Sequence, residues 1–142
     1  MSDCVLFRKG ELDKILTAPP KQGKKMLFGV SQKFPLGILE DHEILDNEAE
    51  IHKKEGDLWL CLEGEATFIY GGELIESRAK KNADGTTDEN ELKAKEIRGG
   101  AEAVLYPGDW LWIPAGEPHQ HRCSGTVRLA IIKIPFVLNA PR

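Results

Sequence analysis

The sequence has few cysteines, few aromatic residues and no long hydrophobic run. Its three cysteines, Cys4, Cys61 and Cys123, are widely spaced and form no C-x-x-C pair, which argues against a cysteine zinc cluster and a disulfide framework. No stretch approaches the ~18–20 apolar residues of a transmembrane helix, and the N-terminus lacks the apolar run of a signal peptide. These absences favour a protein of a reducing, cytoplasmic compartment with no membrane partner.

Neither sign of charge dominates the chain. The 19 basic and 23 acidic side chains give a formal net charge of −4, so the global basic footprint of a nucleic-acid-binding protein is missing. Of the 142 residues, 41% are hydrophobic and 30% are charged, which suits a chain that folds around its own core. We therefore expect a single domain that spans residues 1–142.

Short apolar runs separated by Gly, Pro and Asp make up most of the sequence. They predict about eight to ten strands, with almost no helix beyond a short helical turn near residues 13–17. In residues 57–62, three leucines alternate with Asp57, Trp59 and Cys61, so the leucines should form one face of a strand. The pattern predicts an all-β sandwich or barrel, but periodicity does not choose between an immunoglobulin-like sandwich and a jelly roll.

Residues 76–100 are polar and interrupt this pattern. We predict a mobile insertion or a long hairpin loop here, and a short helix over residues 88–95, capped by Thr87, is an alternative. Just before this segment, Gly71 and Gly72 lie between two apolar runs. Two glycines in that position predict a hairpin.

Three of the four histidines fall in two segments that also contain carboxylates. Glu50 and His52 are two residues apart and share a face if their segment is a strand, and the same holds for His119 and His121. Asp57 begins the next predicted strand. Two imidazoles with one or two carboxylates suit a divalent ion, and the ligand types leave iron, zinc, manganese, nickel and copper open.

The spacing of these residues resembles two known motifs. Residues 50–64 read E-x-H-x4-D-x6-G and resemble the first cupin motif, and residues 108–119 read G-x5-P-x-G-x2-H and resemble the second. The motifs, near residues 48–64 and 107–121, occur in the family's order, so the chain is identified as a member of the cupin superfamily. The resemblance implies an antiparallel jelly-roll barrel with a metal at the bottom of an open cavity.

The resemblance also implies which side chains would hold the metal. His52 and His119 match family ligands, while Asp57 stands where the family usually has Glu. Glu50 stands where the family usually has its first His, so it is expected as a further ligand or, if it is not a ligand, as a catalytic base. A carboxylate in place of an imidazole shifts such a site toward harder ions.

Three further residues are candidates for the wall of a substrate pocket. Trp59 and Cys61 share the strand face of Asp57, and His121 follows the second motif. Cys123 departs from the fuller second motif, which has Asn at that position.

The resemblance leaves two functions open. The first is a metal-dependent enzyme, of dioxygenase or isomerase/epimerase type, that acts on a small polar metabolite with one divalent ion (Fe, Mn, Zn or Ni). The second is a non-catalytic cupin that binds a small molecule or sugar, with a structural metal or none. A homodimer is also implied, and the apolar residues 130–132 and 136–138 offer a surface for it.

Overall fold

The computed structural model describes residues 3–19 and 23–136. Within these ranges one helix precedes a series of strands: α1 (Lys9–Leu16), β1 (Gly23–Phe28), β2 (Leu36–Ile44), β3 (Ala49–His52), β4 (Glu55–Glu63), β5 (Ala66–Tyr70), β6 (Glu73–Leu74), β7 (Arg78–Lys81), β8 (Thr87–Ala94), β9 (Ile97–Arg98), β10 (Ala101–Leu105), β11 (Trp110–Ile113) and β12 (His119–Pro135). The prediction of an all-β chain with a short N-terminal helix is confirmed.

Two antiparallel sheets face each other, and the long strand β12 belongs to both. One sheet has the order β1-β2-β12-β4-β11, and the other has the order β7-β8-β3-β12-β5-β10. The first residues of β12 pair with β3 and β5, and its later residues pair with β2 and β4, after a register shift between Cys123 and Thr126. An irregularity of this kind bends a strand, which allows β12 to join the two sheets into a barrel.

The alternation within β4 determines what the barrel encloses. Asp57, Trp59 and Cys61 are 1–3% exposed, whereas the leucines between them are half-buried on the outer face. The predicted separation of the two faces is confirmed. The inward face of β4 packs into a core of apolar side chains from the other strands, which include Phe68, Leu105, Ile113, Val127, Leu129 and Ile131.

A buried arginine holds the end of α1 against the barrel. Arg128 is 3% exposed, and its Nε donates to Glu40 Oε2 at 2.8 Å. Its terminal nitrogens donate to the backbone carbonyls of Leu16 and Ala18. Carbonyls at the C-terminal end of a helix have no N–H donors within the helix, and the guanidinium supplies donors to them. Its positive charge also lies at the negative end of the helix dipole.

Residues 76–100 contain strands, and the alternative of a helix over residues 88–95 is wrong. Strands β7 and β8 pair around a turn at residues 82–86, and β8 pairs with β3 from Ala49 to His52. The free edge of β3 presents backbone donors and acceptors that need partners, and a ladder of such bonds outweighs the modest helix propensity of this segment.

The hairpin predicted at Gly71 and Gly72 is also wrong. Both residues have a positive φ, 76° and 69°, and they turn the chain, but the next strand β6 pairs with β9. Strand β5 cannot take β6 as a neighbour because β10 and β12 already occupy its two edges.

Two further observations concern the predictions about membrane spans and about a dimer surface. No helix in the described ranges is long and apolar enough to cross a membrane. Of the apolar C-terminal residues expected to offer a dimer surface, Ala130 and Ile131 are buried within the chain itself, and Val137 and Leu138 lie outside the described residues.

Candidate metal centre

Four side chains from β3, β4 and β12 converge at one point inside the barrel. Glu50 and His52 share one face of β3, and His119 lies opposite Glu50 on β12. The Nε2 atom of His52 lies 3.3 Å from Glu50 Oε1 and 3.5 Å from Asp57 Oδ2. The Nε2 atom of His119 lies 3.5 Å and 3.3 Å from the same two oxygens. The structure therefore brings together all four residues that the sequence predicted as ligands.

The other nitrogen of each imidazole is held by an acceptor. His52 Nδ1 lies 3.0 Å from Glu91 Oε1, and His119 Nδ1 lies 3.1 Å from the backbone carbonyl of Glu117. A carboxylate and a carbonyl only accept hydrogen bonds, so Nδ1 carries the proton in both neutral rings. In their neutral forms, both rings therefore turn the Nε2 lone pair toward the two carboxylate oxygens, which is the tautomer of a histidine that binds metal through Nε2.

Each carboxylate also contacts a lysine through its second oxygen. Lys93 donates to Glu50 Oε2, and Lys133 donates to Asp57 Oδ1 at 2.7 Å. Lys133 Nζ also lies 3.5 Å from His52 Nε2. Each carboxylate thus presents one oxygen to the imidazoles while an ammonium group fixes the other.

The pKa values of these groups show that the site favours positive charge. Burial alone would raise the pKa of Glu50, but the facing His119 and His52 and the charge on Lys93 hold it well below its usual range. Burial also opposes ionisation of Asp57, whose pKa is nevertheless lowered by His119 and Lys133. Although burial lowers the pKa of His119, the facing Asp57 and Glu50 raise it to about 9.

The donor set fits a divalent metal ion. Asp57 Oδ2 and His119 Nε2 are buried and have no hydrogen-bond partner among the described residues, and a cation between them would satisfy both. Ligand atoms of Glu50, His52 and His119 all lie within 4.8 Å of one another. The Nε2 atoms of the two histidines each lie 3.3–3.5 Å from each of the two carboxylate oxygens, a spacing that one ion about 2.0–2.2 Å from its donors can bridge.

A cavity of about 410 Å³ lies beside this cluster. Its lining includes Glu50 and both lysines, as well as Trp59 and His121 from the predicted pocket. His121 Nε2 lies 2.7 Å from Asp41 Oδ2, and its ring stacks on Phe68 with centroids 5.1 Å apart.

Cys61, the third residue predicted for the pocket, lies elsewhere. It is part of the core cluster, where its Sγ lies 3.3 Å from the carbonyl oxygen of Gly64. Among the described residues that line the cavity Cys61 does not occur, so in this structure it contributes packing.

Several solved structures share this architecture at low sequence identity. The iron(II) form of HppE aligns with a TM-score of 0.56 and 15% identity over 94% of this chain and 62% of its own. An oxalate oxidase aligns with a TM-score of 0.53 and 14% identity over 80% and 52%. The cupin domain of Drosophila melanogaster CENP-C aligns with a TM-score of 0.50 and 13% identity over 78% and 64%. The chain has a cupin fold.

The cupin likeness concerns the fold alone, because these identities are low. No protein-family model matches the sequence, and no curated protein sequence is significantly similar to it. The chain spans between about half and two thirds of the length of the three solved proteins, at 52%, 62% and 64%.

Three charged residues around this candidate metal centre were not identified from the sequence: Glu91, Lys93 and Lys133. Lys133 had a usable signal, because it is the one charge within the apolar residues 129–134 of a predicted strand. A lone charge in such a strand usually has a buried partner. Glu91 and Lys93 had no such signal, since they lie in a segment where most residues are polar.

Proposed function

We propose that this cupin fold holds one divalent metal ion through His52, His119, Glu50 and Asp57, and that it acts as an enzyme on a small polar metabolite in the adjacent cavity. The observation that carries the proposal is the approach of both Nε2 atoms to the same two carboxylate oxygens within 3.3–3.5 Å. A bound divalent ion supplies Lewis-acid polarisation of a ligand oxygen or, if it is redox-active, a site for dioxygen chemistry.

The geometry around Glu50 favours its role as a ligand over its role as a base. One of its oxygens faces the two imidazoles, and the other accepts from Lys93. With both oxygens engaged, Glu50 is poorly placed to take a proton from a metabolite. The catalytic base proposed from the sequence stays a prediction, which a Glu50→Gln variant with intact metal binding would test.

His121 is better placed to hold or move a proton in the cavity. Its Nε2 contacts the carboxylate of Asp41, which is 2% exposed, and stacking on Phe68 fixes its ring plane. A buried carboxylate orients an imidazole, as in other acid–base pairs. His121 is thus a candidate proton-transfer group in the same cavity that Glu50 lines.

Metal content measured on untagged protein tests the metal centre. We expect about one divalent ion per chain by elemental analysis, or after titration with Fe²⁺, Mn²⁺, Zn²⁺ or Ni²⁺. His42→Ala is a matched control because His42 contacts Thr126 at 2.6 Å and lies outside the cluster. Protein that takes up none of the four ions would refute the proposal.

Isotope incorporation separates the reaction types. Metal-loaded protein incubated with a metabolite extract in D₂O should incorporate deuterium into a product if it is an isomerase or epimerase, and ¹⁸O from ¹⁸O₂ if it is a dioxygenase. Mass spectrometry detects both labels.

A non-catalytic binding function is the alternative. One similar structure supports this function, because it shows CENP-C bound to CAL1. Two others favour an enzyme instead: HppE is described in its iron(II) form, and the other is an oxalate oxidase. A metabolite that co-purifies unchanged and takes up neither label would favour this function.

We also propose that the chain pairs with a second copy through the outer face of β4, β11 and β12. An apolar groove crosses this face between the leucines of β4 and Ile132, and the neighbouring Trp110 and Trp112 are 58% and 47% exposed. Exposed apolar surface of this kind commonly marks an interaction site. A second copy needs only the same patch in two-fold symmetry.

A further inference from the structure

We propose that the ligand of this cavity is a small dianion with two oxygen donors, and that Lys93 and Lys133 select it. The inference rests on the proposed metal centre and specifies the ligand class for that site. It follows from the net charge around the four proposed ligands. Two nearby lysines make that charge more positive than it would be with the four ligands alone.

The two lysines change the charge that an incoming ligand would meet. Two neutral imidazoles and two carboxylates, with no other charged neighbours, would balance the charge of a bound divalent ion. Here Lys93 neutralises Glu50 and Lys133 neutralises Asp57, so the charge of the ion would stay uncompensated. An uncompensated charge in a poorly solvated site is costly, and a bound dianion would remove that cost.

Most of the outer acidic residues near the site are paired with a cation. Glu91, which contacts His52, is paired with Lys80 at 3.1 Å. Glu55 approaches Lys133 at 3.5 Å, but its side chain is 36% exposed and is screened by solvent. Of the remaining acidic residues of the cavity wall, Glu48 is paired with Arg78 at 2.7 Å, and Asp41 contacts the imidazole of His121.

Both ammonium groups are placed to contact a ligand. The side chains of Lys93 and Lys133 are 24% and 21% exposed, and both line the cavity next to Glu50. An ammonium has three donors, so each lysine can hold its carboxylate and donate to a ligand oxygen as well.

The remaining walls limit the body of the ligand. The lining also contains apolar side chains, which suit a short hydrocarbon body: Met26, Val30, Leu39 and Ile131. A volume of about 410 Å³ lies near the lower end of small-molecule sites. These walls favour a compact dicarboxylate or a similar oxygen chelator over a neutral sugar.

Cobalt(II) provides a direct test because its visible absorption reports on the ligands around it. Protein loaded with Co²⁺ is titrated with malonate, a dianionic chelator, and with malonamide, its neutral counterpart, while dialysis checks that cobalt is retained. We expect malonate to change the spectrum and to bind at least about tenfold more tightly than malonamide.

The variants Lys93→Gln and Lys133→Gln remove one charge each while keeping much of the side-chain length. We expect each to weaken malonate binding about tenfold without weakening Co²⁺ binding, because each frees a carboxylate from a competing cation. Lys93→Arg keeps the charge and should keep most of the malonate affinity. Lys53→Gln, an exposed lysine next to His52, is the matched control and should match the parent.

The outcomes separate this inference from the proposed metal centre. Parent protein that binds no Co²⁺ would overturn the metal centre and this inference together. Protein that binds Co²⁺ but takes malonate and malonamide equally would overturn the dianion alone. Lysine variants that bind malonate as tightly as the parent would overturn the assigned role of the lysines. The Lys93→Gln variant tests that role by itself if Lys133→Gln does not fold.

Discussion

His52 Nδ1 lies 3.0 Å from Glu91 Oε1, so the ring of a proposed metal ligand on β3 is oriented by a carboxylate on the neighbouring strand β8. This contact fixes the proton on Nδ1 and turns Nε2 toward Glu50 and Asp57. Partners that orient a ligating histidine commonly matter almost as much as the ligand itself. The polar segment of residues 76–100 therefore contributes directly to the centre.

Replacing Glu91 should weaken metal binding although Glu91 is not itself a proposed ligand. For Glu91→Ala we expect about a 10–100-fold loss of metal affinity, because His52 loses the acceptor that fixes its tautomer. Glu91→Gln keeps an acceptor and should lose less. Competition with a chromophoric chelator measures the affinity. Glu89→Ala, an exposed change on the same strand, should behave like the parent, and equal affinities for all four proteins would contradict the assigned orientation.

Removing a proposed ligand should abolish the effect of metal on stability. At a free metal concentration 100 times its Kd, the parent should gain about 2.7 kcal/mol in its free energy of unfolding. His119→Ala and His52→Ala should fold without metal but gain little at that concentration, because each loses an Nε2 donor.

Thermal unfolding with and without metal measures this gain, with His42→Ala as the histidine control. A full metal-dependent gain in His119→Ala would show that the ion binds elsewhere. A His119→Ala chain that cannot fold, under conditions where the metal-free parent does fold, would show that His119 serves the packing of the core.

The proposed ligands could be predicted from the sequence because their spacing along each strand is a local signal. Residues two apart share a strand face, so Glu50 with His52, and Asp57 with Trp59, could be assigned to common faces before the strands were placed. That these two pairs meet each other depended on strand pairing, which the resemblance of the two motifs supplied.

The residues that surround the four proposed ligands could not be predicted from local sequence signals. Strand β8 has a polar sequence whose conformation depends on the open edge of β3, and that pairing joins residues about 40 positions apart in the chain. Lys93 and Glu91 reach the site only because of it. Gly71 and Gly72 likewise looked like a hairpin because their local sequence does not reveal that both edges of β5 are taken.

Gly64 should not tolerate a side chain. Its φ is +72°, a conformation that costs other residues energy, and a Cβ there would overlap the carbonyl oxygen of Thr126 on β12. We expect Gly64→Ala to lower the free energy of unfolding by at least about 2 kcal/mol. Gly125→Ala is the control, because a Cβ on Gly125 meets no atom within 4 Å. Denaturant unfolding that gave equal losses for the two variants would contradict the close approach of β4 and β12.

Self-association should depend on the outer apolar face and not on the metal centre. The chain has a mass of 15.8 kDa, so the proposed pairing predicts twice that value by light scattering at micromolar concentration. Trp110→Ser should reduce the measured mass toward that of one chain. Trp110 is 58% exposed beside the groove, so its ring would be buried by the second copy, and serine would remove that apolar contact. Tyr106→Ser is a comparable control, since Tyr106 is 53% exposed and does not line this groove. Parent protein that scatters as a single chain would contradict the pairing, and a Trp110→Ser variant that stays at twice the mass would place the interface elsewhere.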